Sequence, residues 1–119
     1  MAKESGGDFV INGSKCFISG GGVSDLYFLM CLTGENEKSC IIVPKDSKGL
    51  TFGKPEKKMG WKSSPTTTVS FEDVRVPIRN LLGEKGMGFK MAVSALDGGR
   101  INIASCSLGA AAYCLDKSN

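Results

Sequence analysis

The hydrophobic and polar positions of this chain change period once. Up to about residue 82 the apolar residues fall in short runs, at 26–32, 39–43, 50–52, 66–71 and 74–76, each bounded by Gly, Pro, Asn, Asp or Ser. Short runs at regular spacing between turn residues predict β-strands, and several in succession predict a mainly β sandwich or barrel. Nearer the N-terminus, Phe9-Val10-Ile11 and the run 14–19 flank Asn12-Gly13. Asn-Gly supplies the positive φ angles of a two-residue type I′ turn, so a hairpin centred on Asn12-Gly13 is predicted. Glu72-Asp73 is read as the cap or turn between the last two runs.

From about Gly88 the spacing becomes helical. Phe89, Ala92, Val93, Leu96, Arg100, Ile103 and Ser107 recur three or four apart, and no proline follows them. A helix reaching to near Lys117 has roughly 30 residues and a length of about 45 Å, far more than a barrel of this size can cover. Its second half, 101–115, is apolar or small on nearly every side. That composition suits a helix surrounded by other helices. Part of it is therefore expected to find its partners outside these 119 residues, in further chain or in a second copy.

Composition narrows the chemistry. With 41% apolar and 23% charged residues the chain has the make-up of an ordinary globular domain. A net charge of +3 gives no clustered basic face of the kind nucleic acid requires, so no nucleic-acid partner is expected. No run approaches the roughly 20 apolar residues of a membrane span, and no membrane partner is expected. Residues 1–7 have neither the apolar core of a signal peptide nor the Arg-rich amphipathic character of a transit peptide. The five cysteines are odd in number and lack C-x-x-C spacing, which points away from a disulfide framework and towards a reducing compartment. There is no histidine, which excludes Cys/His zinc sites and every His-based nucleophile or base.

One succession carries more than composition does: Phe71-Glu72-Asp73-Val74-Arg75-Val76-Pro77, then Leu81-Leu82-Gly83-Glu84-Lys85-Gly86-Met87-Gly88-Phe89, then Leu96-Asp97-Gly98-Gly99-Arg100. It resembles a domain junction in the acyl-CoA dehydrogenase family. Gly98-Gly99-Arg100-Ile101-Asn102-Ile103-Ala104-Ser105 and Lys15-Cys16-Phe17-Ile18-Ser19-Gly20 are most similar to the branch that acts on isobutyryl-CoA in valine breakdown. The resemblance runs over nearly the whole chain. It implies the family's middle β-barrel of short antiparallel strands in residues 1–82 and the first long α-helix of its C-terminal helical domain in 83–119. It further implies FAD as cofactor, an acyl-CoA substrate, electron-transfer flavoprotein as partner, a homotetrameric parent and the mitochondrial matrix as location. In the implied reaction a carboxylate takes the α-proton while hydride leaves the β-carbon for the flavin.

The same resemblance singles out residues. Phe17-Ile18-Ser19 occupies the place of the family's Trp-Ile-Thr flavin motif. Ser19 keeps the hydroxyl, while Phe17 keeps a flat ring without the indole N–H. On their own these are strand residues of a half-buried hairpin. Gly20-Gly21-Gly22 follows, but no helix begins directly after it as a phosphate loop requires, so it is read as a flexible turn into the strand at Leu26.

Asp97 and Arg100 lie three apart on the helix, a spacing that by itself predicts an ion pair worth a few tenths of a kcal/mol. Each intervening glycine costs about 1 kcal/mol relative to alanine in a helix interior, so something is expected to approach Gly98 and Gly99 closely. The resemblance implies that Asp97-Gly98-Gly99-Arg100 contacts the acyl-CoA. Isovaleryl-type members carry their catalytic glutamate immediately before the matching arginine, where this chain has Gly99. The base is then expected beyond residue 119, as the flavin loop is expected before residue 1, and the isolated chain is expected to be inactive.

Two features of the loop near residue 60 are read as structural. Lys54, Lys57, Lys58 and Lys62 form a basic run, expected to be a solvated loop. Trp61 is expected to be a packing anchor, since no second exposed aromatic accompanies it as in a nucleic-acid platform. The alternative to an enzyme segment is a noncatalytic CoA-binding or oligomerisation module.

Overall fold

In the computed structural model, which describes residues 1–118, the first turn of the chain is Gly6-Gly7 rather than Asn12-Gly13. It joins β1 (Ala2–Ser5) to β2 (Asp8–Ser19), with Ser5 paired to Asp8. The two glycines take φ angles of 62° and 87°, the positive values a tight hairpin turn needs. β2 passes through Asn12-Gly13 without turning because its ladder with β6 (Thr66–Pro77) continues on both sides, Ile11 opposite Val74 and Gly13 opposite Phe71.

At that step one residue of β2, Asn12, faces two of β6, Glu72 and Asp73. The extra residue is accommodated by Asp73 in a left-handed conformation, φ 49°. This is a β-bulge, and it explains why Glu72-Asp73 neither caps nor interrupts its strand. In sequence both positions read as turns because Asn, Gly and Asp are turn formers. Here their tolerance of unusual φ serves a bulge within a long pair of strands.

The remaining strands are β3 (Leu26–Leu32), β4 (Lys38–Pro44), β5 (Leu50–Phe52) and, after a 3-10 turn at Ile78–Asn80, β7 (Leu81–Leu82). They form two antiparallel sheets, ordered β1-β2-β6-β5 and β3-β4-β7. The sheets share one core. Phe9, Ile11, Val74 and Val76 enter it from the first sheet, and Tyr27, Leu29, Ile41 and Val43 from the second, all at alternate positions as the period of a half-buried strand requires. Among the described residues no strand pairing joins the sheets, so the barrel-like body is closed by side chains rather than by a continuous ladder.

After β7 the chain passes back over β4. The Gly86 N–H donates to the buried Ser39 hydroxyl at 3.0 Å, and a Cβ on Gly88 would lie 2.7 Å from the Ser39 carbonyl carbon. Residues 1–88 make one compact unit, and the chain from Phe89 makes another.

The described part of that second unit is all helix, belonging to α1 (Gly88–Ser118), of 31 residues, whose first residue closes the first unit. From Val93 onward every described residue is exposed, including Ile101, Ile103, Leu108, Tyr113 and Leu115. The Ser105, Ser107 and Ser118 hydroxyls bond back to the carbonyls of Ile101, Ile103 and Cys114, one turn earlier, which spares them any need of outside partners. Among the described residues no helix is long and apolar enough to cross a membrane.

Candidate functional site

A second bulge shapes the far end of β2. Lys15 pairs with Val69 and Ile18 with Thr67, so Cys16 and Phe17 together face Thr68 alone. Here the extra residue lies on β2, and Phe17 absorbs it at φ 55°. A bulky aromatic in that region is backbone strain of the kind that collects at functional sites. It does not bury the ring, which is 74% exposed. Ile18 packs against the core, and Ser19 is exposed with its hydroxyl unpartnered among the described residues.

The residues after Ser19 form a tight, well-bonded turn. Gly20 N–H donates to the Pro65 carbonyl at 2.8 Å, and the N–H groups of Val23 and Ser24 return to the Gly20 carbonyl at 3.0 and 2.9 Å. Gly21 is buried so closely against β6 that a Cβ there would meet the Thr67 hydroxyl oxygen at 2.3 Å. The run is a turn, as expected, but an ordered one rather than the flexible one expected, because close approach of the Thr67 side chain and these backbone bonds hold it.

Between this end of β2 and β3 opens a cleft of about 460 Å³. Ile18, Ser19, Leu26, Phe28, Met30 and Phe71 line it, and Lys15 and Ser24 are among its polar groups. Mostly apolar walls with a few hydroxyls and one cation suit a flat, largely apolar ligand that needs only a few hydrogen bonds to orient it. Sequence reasoning missed Tyr27, which also lines the cleft. Its alternation within β3 points it inward, and a buried tyrosine hydroxyl needs a partner.

Asp97, Gly98, Gly99 and Arg100 lie on one turn of α1. Asp97 and Arg100 are exposed, and the ion pair their spacing allows is not formed among the described residues. A Cβ on Gly98 or Gly99 would meet nothing within 4 Å.

The loop before β6 departs from expectation in two places. Lys58 is not simply solvated: its ammonium donates to the Ser64 carbonyl and, at 3.1 Å, to the Thr66 hydroxyl, fastening the loop to β6. Trp61 is no packing anchor, being 69% exposed. Its backbone, at φ 52°, accepts the Ser64 N–H at 3.1 Å, so the residue serves a turn and its indole stays outside the core. All five cysteines are free thiols. Burial pushes the Cys31 and Cys40 thiols above their ordinary value. Among the described residues no cluster of His, Cys, Asp and Glu could hold a metal ion.

Residues 1–74 match the family model described as "Acyl-CoA dehydrogenase, middle domain". The chain belongs to the acyl-CoA dehydrogenase family. Over 118 residues, 96% of the chain, it is 52% identical to the mitochondrial isobutyryl-CoA dehydrogenase of Dictyostelium discoideum. Over 106 residues, 87% of the chain, it is 56% identical to that of Bos taurus. It spans only 28% and 26% of those two proteins. Among solved structures it superimposes with a TM-score of 0.79 on an acyl-CoA dehydrogenase complexed with FAD from Bacillus anthracis, at 38% identity, covering 83% of this chain and 17% of that one. The two-sheet body with its long helix is accordingly an acyl-CoA dehydrogenase fold segment.

Proposed function

We propose that the chain is the flavin-holding middle segment, with the first C-terminal helix, of an FAD-dependent acyl-CoA dehydrogenase acting on isobutyryl-CoA in valine breakdown. What carries this reading is the bulge at Phe17. It leaves the Phe17 ring exposed directly before Ile18 and Ser19, which line an apolar cleft, in a chain 52% identical to an isobutyryl-CoA dehydrogenase. The residues fit the group. Phe17 offers a flat face, Ile18 an apolar wall, and Ser19 a hydroxyl and a backbone N–H for the polar edge of a flavin ring.

FAD bound there supplies the hydride acceptor. Every other part of the division of labour belongs to protein groups. The strained turn at Phe17 holds the ring out of the core, so no rearrangement is needed when a flat ligand arrives. Ser19, followed by a turn bonded at Gly20, has little freedom to swing away. Asp97 and Arg100 are assigned to the acyl-CoA, and their glycines give a bulky substrate room to approach the helix backbone. The catalytic carboxylate is assigned to a part of the full-length protein outside these residues, because Gly99 stands where isovaleryl-type members have it. Electron-transfer flavoprotein is the proposed electron acceptor, in a mitochondrial matrix homotetramer.

The test is turnover by the full-length protein on isobutyryl-CoA, 2-methylbutyryl-CoA and butyryl-CoA. Preference for isobutyryl-CoA is expected, and a clear preference for butyryl-CoA overturns the substrate. The 119-residue chain with added FAD should turn over none of them. Measurable turnover would place the base within it.

A further inference from the structure

Tyr27 lies in the core, 8% exposed, with its ring centroid 5.4 Å from that of Phe52. Its hydroxyl reaches out of the core to the turn that follows Ser19. There it accepts the Gly22 N–H at 2.9 Å and donates to the Gly20 carbonyl at 3.4 Å. One oxygen thus ties together both ends of a turn whose glycines sit at φ 74° and 81°, conformations the isolated backbone has no reason to prefer. Part-buried as it is, the Gly22 N–H would have no protein partner without it.

The turn matters because of what precedes it. Gly20 is bonded directly to Ser19, and any drift of the Gly20–Gly22 backbone is transmitted through one peptide unit to the Ser19 N–H and hydroxyl. Besides the bonds within the turn itself, three groups outside it hold it: the Pro65 carbonyl on Gly20, the Thr67 side chain against Gly21, and the Tyr27 hydroxyl on Gly22 and Gly20. Thr67 belongs to β6, in the sheet that contains Ser19, and Pro65 immediately precedes that strand. Tyr27 alone comes from the opposite sheet, so it fixes the turn relative to the other wall of the cleft.

We infer that Tyr27 is a positioning residue for the flavin: through Gly20 and Gly22 its hydroxyl sets where Ser19 stands in the cleft. The inference rests on the proposal that Phe17, Ile18 and Ser19 hold that cofactor. The hydroxyl acts through the turn, by way of Gly20 and Gly22, rather than by contact with the flavin.

The test is Tyr27→Phe in the full-length protein, set beside Phe52→Leu, which disturbs the same ring packing and keeps the hydroxyl. With Tyr27→Phe, FAD affinity should fall by about tenfold, the effect of one lost hydrogen bond on the holding group, and the visible spectrum of the bound flavin should shift. With Phe52→Leu the thermal midpoint should fall while the flavin spectrum stays that of the wild type. A Tyr27→Phe protein that keeps wild-type affinity and spectrum overturns the inference and leaves the flavin site standing. Equal spectral shifts in both variants also overturn it, since packing would then suffice. A wild-type protein that binds no flavin at all overturns both this inference and the function on which it rests.

Discussion

Asn12 and Asp73, sixty-one residues apart, hold each other by two hydrogen bonds: the Asn12 amide donates to the Asp73 carboxylate at 2.8 Å, and the Asp73 N–H donates to the Asn12 side-chain oxygen at 2.9 Å. The Asn12 backbone is committed as well, its N–H to the Met1 carbonyl at 3.0 Å and its own carbonyl accepting from the Met1 amine at 2.8 Å. The pair closes the bulge that bends the two longest strands together. Replacing Asn12 with alanine removes both side-chain bonds and should cost about 1–2 kcal/mol, read as a lower urea midpoint at unchanged slope. Asn12→Asp should cost more than Asn12→Ala, because it sets a second carboxylate against the first. Equal stability of all three proteins would show that the bulge is held by the ladder alone.

Phe17 separates function from stability. Its ring is 74% exposed, so its removal forfeits little burial, whereas its φ of 55° is a conformation that glycine adopts without strain. Phe17→Gly should therefore keep stability within about 1 kcal/mol of the wild type, and Phe17→Ala, which retains a Cβ at positive φ, should be the less stable of the two. Under the proposed function both should lose flavin. Thermal melts of the apo-proteins beside the flavin content of the full-length forms give the comparison. A Phe17→Gly protein that melts far below the wild type would mean the ring is structural.

Gly21 tests close approach. A methyl group there would collide with the Thr67 hydroxyl at 2.3 Å and press on the Ile18 carbonyl at 3.2 Å, so Gly21→Ala should cost about 1–3 kcal/mol by overpacking. Removing the obstructing oxygen should relieve much of this. In a Thr67→Ala background the further cost of Gly21→Ala should be clearly smaller, a coupling that a double-mutant cycle in urea measures. Strict additivity would locate the strain elsewhere.

What could be read from sequence here was whatever depends on a residue and its near neighbours. The apolar runs at 26–32 and 50–52 coincide with β3 and β5, and the change to helical spacing at Gly88 coincides with the start of α1. Burial on alternate positions makes such elements self-announcing. The misread places depend on a partner strand. Asn12-Gly13 and Glu72-Asp73 each look like a turn, and only their pairing across the sheet makes them the two halves of one bulge. Trp61 stays outside the core, although the lack of a second exposed aromatic argues for a packing anchor, because its carbonyl is tied into a turn by the Ser64 N–H. In the candidate site, Phe17, Ile18 and Ser19 were marked by family resemblance, but the strain at Phe17 and the Tyr27 hydroxyl lie in long-range geometry that no local pattern encodes.

The cysteines offer a check on the core that needs no cofactor. Cys31 is raised mainly by desolvation, opposed by the Met1 amine and Lys15, and Cys40 is raised by desolvation alone. Both thiols thus hold their protons more tightly in the folded protein than in the unfolded chain. Their contribution to stability is complete below the ordinary thiol value of 9.0 and is lost as the pH climbs through the raised folded values. Stability measured in urea should accordingly fall on the alkaline side, and Cys31→Ser/Cys40→Ser should flatten that fall even if it lowers stability throughout. The same burial predicts an order of alkylation. In the 119-residue chain Cys16, Cys106 and Cys114 are exposed and should react with iodoacetamide without unfolding, while Cys40, buried, should react only as the chain unfolds. Mass spectrometry of the labelled peptides reads this directly, and prompt native labelling of Cys40 would mean that β4 opens far more readily than a core strand should.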